Sequence, residues 1–170
     1  AGYDPDGAGH HAMTVILEHA HDPDLAPERI ARGTAGHMVT AFGYACGWTA
    51  TGMPAPIEAA HRIARGLDAG RADGRLAWLG PDAKAQVAVR FRDRRPVAAE
   101  AVALTLGTTA EVAPAAVETA LRAEVLEPAL AASGLSLAPA TQVSIMAREG
   151  ASGPAGHTGL TGRKTADDGY

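Results

Sequence analysis

An α+β fold is predicted by the way strand-like and helix-like patterns alternate along this sequence. Val87, Val89 and Phe91 alternate with Gln86, Ala88 and Arg90, and Val102, Leu104 and Leu106 alternate further on. The turn residues Asp93-Arg-Arg-Pro96 lie between them, which is the pattern of a hairpin. Ile57, Ala60, Ala64 and Leu67 recur instead at helical spacing behind Met53-Pro-Ala-Pro56. Proline is tolerated in the first turn of a helix, so the pattern reads as a helix start.

The other elements follow in order. Ala12 to His19 is a short apolar run with β-branched residues and predicts a buried strand. His21 to Gly36 is polar and broken by prolines, hence a loop or a short helix. Thr40 to Trp48 carries aromatics at 42, 44 and 48 and predicts a second strand, with Cys46 in its core. The helix from Met53 ends in Gly70 to Gly74, and the hairpin follows. Val117, Leu121 and Val125 form one face of a helix from about Glu111 to Glu127. Ala129 to Ala140 reads as loop and Thr141 to Met146 as a strand.

Composition narrows the function classes. The net charge of -4 argues against a general nucleic-acid binder with a broad basic face. No apolar run approaches the roughly 20 residues of a membrane span. The single cysteine excludes an internal disulfide and a cysteine-based zinc cluster, so a cytoplasmic location is expected. His19 and His21, with Asp22 and Asp24 near them, could pair on a metal, but no further ligand has diagnostic spacing. His61 reads as a packed helical residue.

The end of the chain carries the strongest chemical hint. Glycines at 150, 153, 156, 159 and 162 lead into Arg163 and Lys164. Glycine lets backbone N–H groups approach an anion, and adjacent cations suit a polyphosphate or carboxylate. A collagen helix would need a longer, proline-rich repeat. A phosphate loop of the Gly-Lys-Ser/Thr type is broken by Arg163 and has no helix length after it.

Pro81-Asp-Ala-Lys84-Ala-Gln-Val87 and Gly159-Leu-Thr-Gly-Arg-Lys164 resemble signatures of the methionine adenosyltransferase (S-adenosylmethionine synthetase) family. So do Phe42-Gly-Tyr-Ala45, Met53-Pro-Ala-Pro-Ile57, Ala60-His-Arg62 and Leu76-Ala-Trp-Leu79, in the family's order and near its spacing. The resemblance runs from about Gly2 to Tyr170 and covers the middle of a complete member. It implies one synthetase-like central region over 1–170, with 1–35 as flanking strand and loop and 36–164 as the core match. It implies an α+β domain in which sheets pack against helices and one sheet face pairs subunits.

In that family methionine sulfur attacks C5′ of ATP and expels triphosphate. By resemblance Lys84, Arg163 and Lys164 are the catalytic cations, Asp82 is a nucleotide- or metal-side contact, and Gly159 and Gly162 are nucleotide-side contacts. His37 and His157 stand where the family keeps substrate-contacting aspartates. A neutral histidine cannot supply the charge that holds an α-ammonium, so the surviving residues favour a triphosphate site over an amino-acid site. The family's Asn-Pro-Thr-Gly-Arg-Phe element is represented by Ile145-Met-Ala-Arg-Glu-Gly150, without its aromatic. Mg2+ and K+ are implied by the family, with their ligands outside this chain. A homologous partner chain or a homo-oligomer is expected to complete the site, with no nucleic acid or membrane as partner. The alternatives are a non-catalytic structural or regulatory subunit of such a complex, or a small-molecule or metal-binding module that reuses the fold.

Overall fold

The computed structural model describes residues 16–18, 28, 31–33, 40 and 42–149. Helix α1 spans Ala55–Ala72, with Pro54 at its N-cap and proline again in its first turn. Its buried stripe of Ala59, Ile63, Leu67 and Gly70 matches a helical period and faces the sheet. Past the helix, the Leu76 N–H donates to the Gly70 carbonyl at 2.8 Å, turning the chain into the first strand.

Strands β1 (Leu79–Arg92) and β2 (Arg95–Thr108) form the expected antiparallel hairpin. Its turn residues Asp93 and Arg94 have φ of 49° and 62°. Two positive φ values in succession define the turn whose twist matches that of a two-residue hairpin. The register slips between Ala88 and Val89, so Glu100 is bulged out of the ladder. The Thr141 hydroxyl donates to the Ala99 carbonyl at this bulge at 2.9 Å, and accepts from the Ala138 N–H at 3.0 Å.

After β2 the chain forms α2 (Pro114–Leu121), a π-helical turn over Arg122–Leu126, and α3 (Glu127–Ala132). The predicted single helix to Glu127 is thus longer and divided. Pro128 removes one backbone donor, and the wider turn precedes it. The leading residues of the predicted 129–140 loop belong to α3, because Ala129 and Leu130 still have core to bury. Strand β3 (Gln142–Glu149) then lies parallel to β2, giving the sheet order β1-β2-β3.

The helices cover one face of this mixed sheet. Val102, Leu104 and Leu106 of β2 meet Ile63 and Leu67 of α1, with Val117, Leu121, Leu126 and Leu130 from the later helices. Each such side chain contributes about 1.5–3 kcal/mol by leaving water. The opposite face, with Lys84, Gln86, Ala88, Ala101, Ala103, Ser144 and Met146, is covered by no described element.

One predicted strand is corrected, and a second is contradicted only over residues 16–18. Residues 42–48 form no strand; Phe42 is 89% and Tyr44 58% exposed. A strand needs a partner ladder, and here the Cys46 N–H donates instead to Gly52 across a local loop at 2.8 Å. Cys46 is accordingly half-buried in a loop and not in a strand core. Within the Ala12–His19 run the described residues 16–18 are exposed and carry no strand pairing, while the rest lies outside the described residues.

Candidate functional site

The strand register assembles one end of the sheet from distant parts of the sequence. Leu79 pairs with Thr108, and Thr108 pairs with Glu149, so the start of β1 and the ends of β2 and β3 lie level. The β1 start carries Pro81, Asp82 and Lys84. The β3 end leads directly into the glycine-rich run that begins at Gly150. The Trp78 carbonyl closes this end, accepting from the Thr109 N–H at 2.9 Å and the Thr109 hydroxyl at 3.2 Å.

Lys84 is exposed on the uncovered face of the sheet, in a row with Thr105 and Met146. Strand spacing puts the Lys84 and Met146 Cα atoms about 10 Å apart. Arg148 lies two positions beyond Met146, beside Gly107, and so stands on the same face at the same end. Long side chains from Lys84 and Arg148 can therefore reach a common polyanion. Sequence reasoning gave Arg148 no role. Its signal was the strand alternation that places it in phase with Met146, together with its closeness to the glycine run.

Asp82 is half-buried within an interruption of the ladder, since regular pairing lapses between Leu79 and Ala83. On the helix side of this segment is a cleft of about 210 Å³, lined by Asp68, Arg71, Gly80, Pro81 and Ala83. Arg71 donates to Asp68 there at 2.6 Å. The pleat sends Ala83 and Lys84 to opposite faces, so the cleft and the lysine are neighbours in sequence but not in one cavity. His37, His157, Gly159, Gly162, Arg163 and Lys164 lie outside the described residues, as do His19, His21, Asp22 and Asp24.

The clearest electrostatic perturbation is remote from this end. Side-chain and backbone hydrogen bonds from Arg75 hold the Asp73 carboxyl below its ordinary value. Arg75 is raised in turn by hydrogen bonds to Asp73 and Glu124. That trio ties the end of α1 to the π-helical turn through the 2.6 Å Arg75–Glu124 ion pair. Among the described residues no group of three His, Cys, Asp or Glu could hold a metal ion. No helix among them is long and apolar enough to cross a membrane.

A mixed sheet with helices on one face and a cation at the head of its first strand defines a small α+β domain. The model of the S-adenosylmethionine synthetase central domain matches residues 32–149. The chain belongs to the S-adenosylmethionine synthetase family, as a central-domain region. It is 39% identical over 174 residues to the S-adenosylmethionine synthase of Sulfurovum sp. (strain NBC37-1). That similarity covers 99% of this chain and 44% of the relative, so the chain spans less than half of that protein's length.

Proposed function

We propose that this chain contributes the triphosphate side of an ATP-dependent adenosyl-transfer site, with Lys84, Arg163 and Lys164 as its catalytic cations. The observation that carries this reading is the common end of β1 and β3, which joins Lys84 to the strand leading into Gly150–Lys164. Asp82, Gly159 and Gly162 contact the nucleotide, and His37 and His157 occupy the substrate-side positions. In the reaction a methionine-type sulfur forms a bond to C5′ while the C5′–O bond breaks and the electron pair leaves on triphosphate. Fixed cations lower the barrier because charge grows on the leaving group. Mg2+ and K+ would assist that charge balance in the assembled protein. Among the described residues no group of three His, Cys, Asp or Glu is placed to hold an ion by itself.

The site is completed by a homologous partner chain or by another copy of this one. The uncovered sheet face supports that pairing: Ala88, Ala101, Ala103 and Ser144 are small enough for a second sheet to approach closely. The working location is cytoplasmic, where ATP is available.

The test is turnover of ATP and methionine by the assembly that contains this chain, comparing wild type with Lys84→Ala. Loss of one preorganised donor lowers kcat by about 10²–10³-fold. Lys84 shares the uncovered face with the proposed partner contact, so native mass spectrometry must show that the variant still assembles before its turnover is compared. Unchanged turnover refutes the catalytic reading and favours a non-catalytic subunit, a role that His37 and His157 in place of aspartates would suit.

A further inference from the structure

The helical layer carries a second cleft, of about 250 Å³, between α1 and the segment that follows α2. One wall is Arg62, Arg65 and Gly66, which fall on one face of α1 at helical spacing. The other is Glu124 and Val125 of the π-helical turn, with Pro128, Ala129 and Ala132 of α3. Val125 is 1% and Ala129 7% exposed, so the floor of the cleft is apolar. A Cβ added at Gly66 would meet the Val125 Cγ1 at 3.2 Å, so the two walls approach closely there.

Charge decides what fits this cleft. Arg65 is exposed and has no acidic partner among the described residues, although Glu124 lines the same opening. The Glu124 Oε2 accepts from Arg75 at 2.6 Å, and Arg62 donates through Nε to Glu58 at 2.7 Å. Opposite charges thus share one cleft without neutralising each other. A ligand with a carboxylate alone would meet repulsion from Glu124, and an amine alone from Arg62 and Arg65. A zwitterion satisfies both signs. We propose that the cleft binds a free α-amino acid with a short apolar side chain. Its carboxylate lies on Arg65, its ammonium on the Glu124 carboxylate, and its side chain along Val125, Pro128, Ala129 and Ala132. Arginine suits the first role because its guanidinium can hold a carboxylate through two parallel hydrogen bonds. The cleft is smaller than the roughly 300–1,000 Å³ of sites for drug-sized molecules, which keeps the ligand small. It is separate from the proposed triphosphate site, since Lys84 stands on the sheet face that the helices leave uncovered.

Amide chemical shifts of the isotope-labelled intact chain, titrated with L-norleucine, test the proposal. Having no sulfur, this probe cannot act as the nucleophile of the proposed reaction. The Gly66, Val125 and Ala129 amides shift together and saturate, with a dissociation constant on the order of 1 mM for so small a ligand. Hexanoate, which lacks the ammonium, and norleucine amide, which lacks the carboxylate, each bind about tenfold or more weakly, because each leaves one charge of the cleft unmatched. Arg65→Gln weakens L-norleucine binding by about tenfold, with Tm unchanged because Arg65 is exposed and holds no ion pair among the described residues. Ala132→Phe, at an exposed position lining the cleft, fills it and abolishes binding without lowering Tm. Absence of saturable shifts up to about 10 mM L-norleucine overturns the proposal. So does hexanoate binding as tightly as L-norleucine, which shows a plain carboxylate contact. Undiminished binding by Ala132→Phe overturns it too, because the ligand then sits elsewhere.

Discussion

Removal of the buried Glu58 carboxylate is expected to loosen the loop ahead of α1 and to destabilise the domain well beyond an ordinary surface change. Glu58 is 2% exposed in the first turn of the helix. One carboxylate oxygen accepts from the Arg62 Nε at 2.7 Å and the other from the Thr51 hydroxyl at 3.0 Å. Thr49 continues the clasp by donating to the Met53 carbonyl at 2.6 Å. A hydrogen bond to a charged group contributes about 1.5–3 kcal/mol, and a negative charge near a helix N-terminus adds about 0.3–1 kcal/mol. Arg62 is one-third exposed, which discounts the ionic part. Glu58→Ala should therefore cost about 3 kcal/mol in urea unfolding, and Glu58→Gln, which keeps shape and the threonine contact, about half of that. A double-mutant cycle with Arg62→Ala should return a coupling of about 1–2 kcal/mol. A coupling indistinguishable from that of an exposed helical pair, about 0.3–0.5 kcal/mol, would refute the reasoning that burial of Glu58 makes this contact strong.

Four more outcomes follow from contacts elsewhere. Thr141→Val leaves the Ala99 carbonyl and the Ala138 N–H without their partner, and should lower unfolding stability by about 2 kcal/mol in denaturant titrations. Gly70→Ala places a methyl 2.9 Å from the fully buried Leu76, so an overpacking cost of about 1–3 kcal/mol outweighs the roughly 1 kcal/mol gained in helix propensity. Gly66→Ala meets Val125 at 3.2 Å and should be close to neutral in the same denaturant titrations. Asp73 has a depressed folded pKa, so its ionised form stabilises the protein above the unfolded value and that contribution is lost as pH falls through the folded value. Asp73→Asn should accordingly reduce the steepness of Tm against pH in the acid range, with little change in how Tm varies above pH of about 5.

The hairpin and α1 were legible because their burial obeys a local period. Val102, Leu104 and Leu106 point inward by alternation, and Ile63 and Leu67 by helical spacing, whatever else surrounds them. The 40–48 segment misled for the same reason in reverse. Phe42, Tyr44 and Trp48 have strand-like composition, but composition cannot reveal whether a neighbouring strand is present to accept the ladder. The division of the predicted 111–127 helix depends on a π-helical turn and Pro128, and the buried stripe remains continuous across it from Leu121 to Val125 and Leu130. Periodicity therefore finds the face and misses the interruption.

The candidate site was only half legible, because the start of β1 and the end of β3 are brought level by topology. Pro81 to Lys84 and the glycine-rich end stand out in the sequence, but more than 60 residues separate them, and nothing local says that the strand before the glycine run ends level with the start of β1. Parallel pairing of β2 with β3 decides it: an antiparallel β3 would send the chain toward the arginine-rich tip, and Gly150 would leave from the opposite end. The same pairing brings Arg148 into phase with Met146 and onto the face that carries Lys84. A cation pair across the sheet is thus set by strand direction, and the long connection through α2 and α3 is what makes that direction possible.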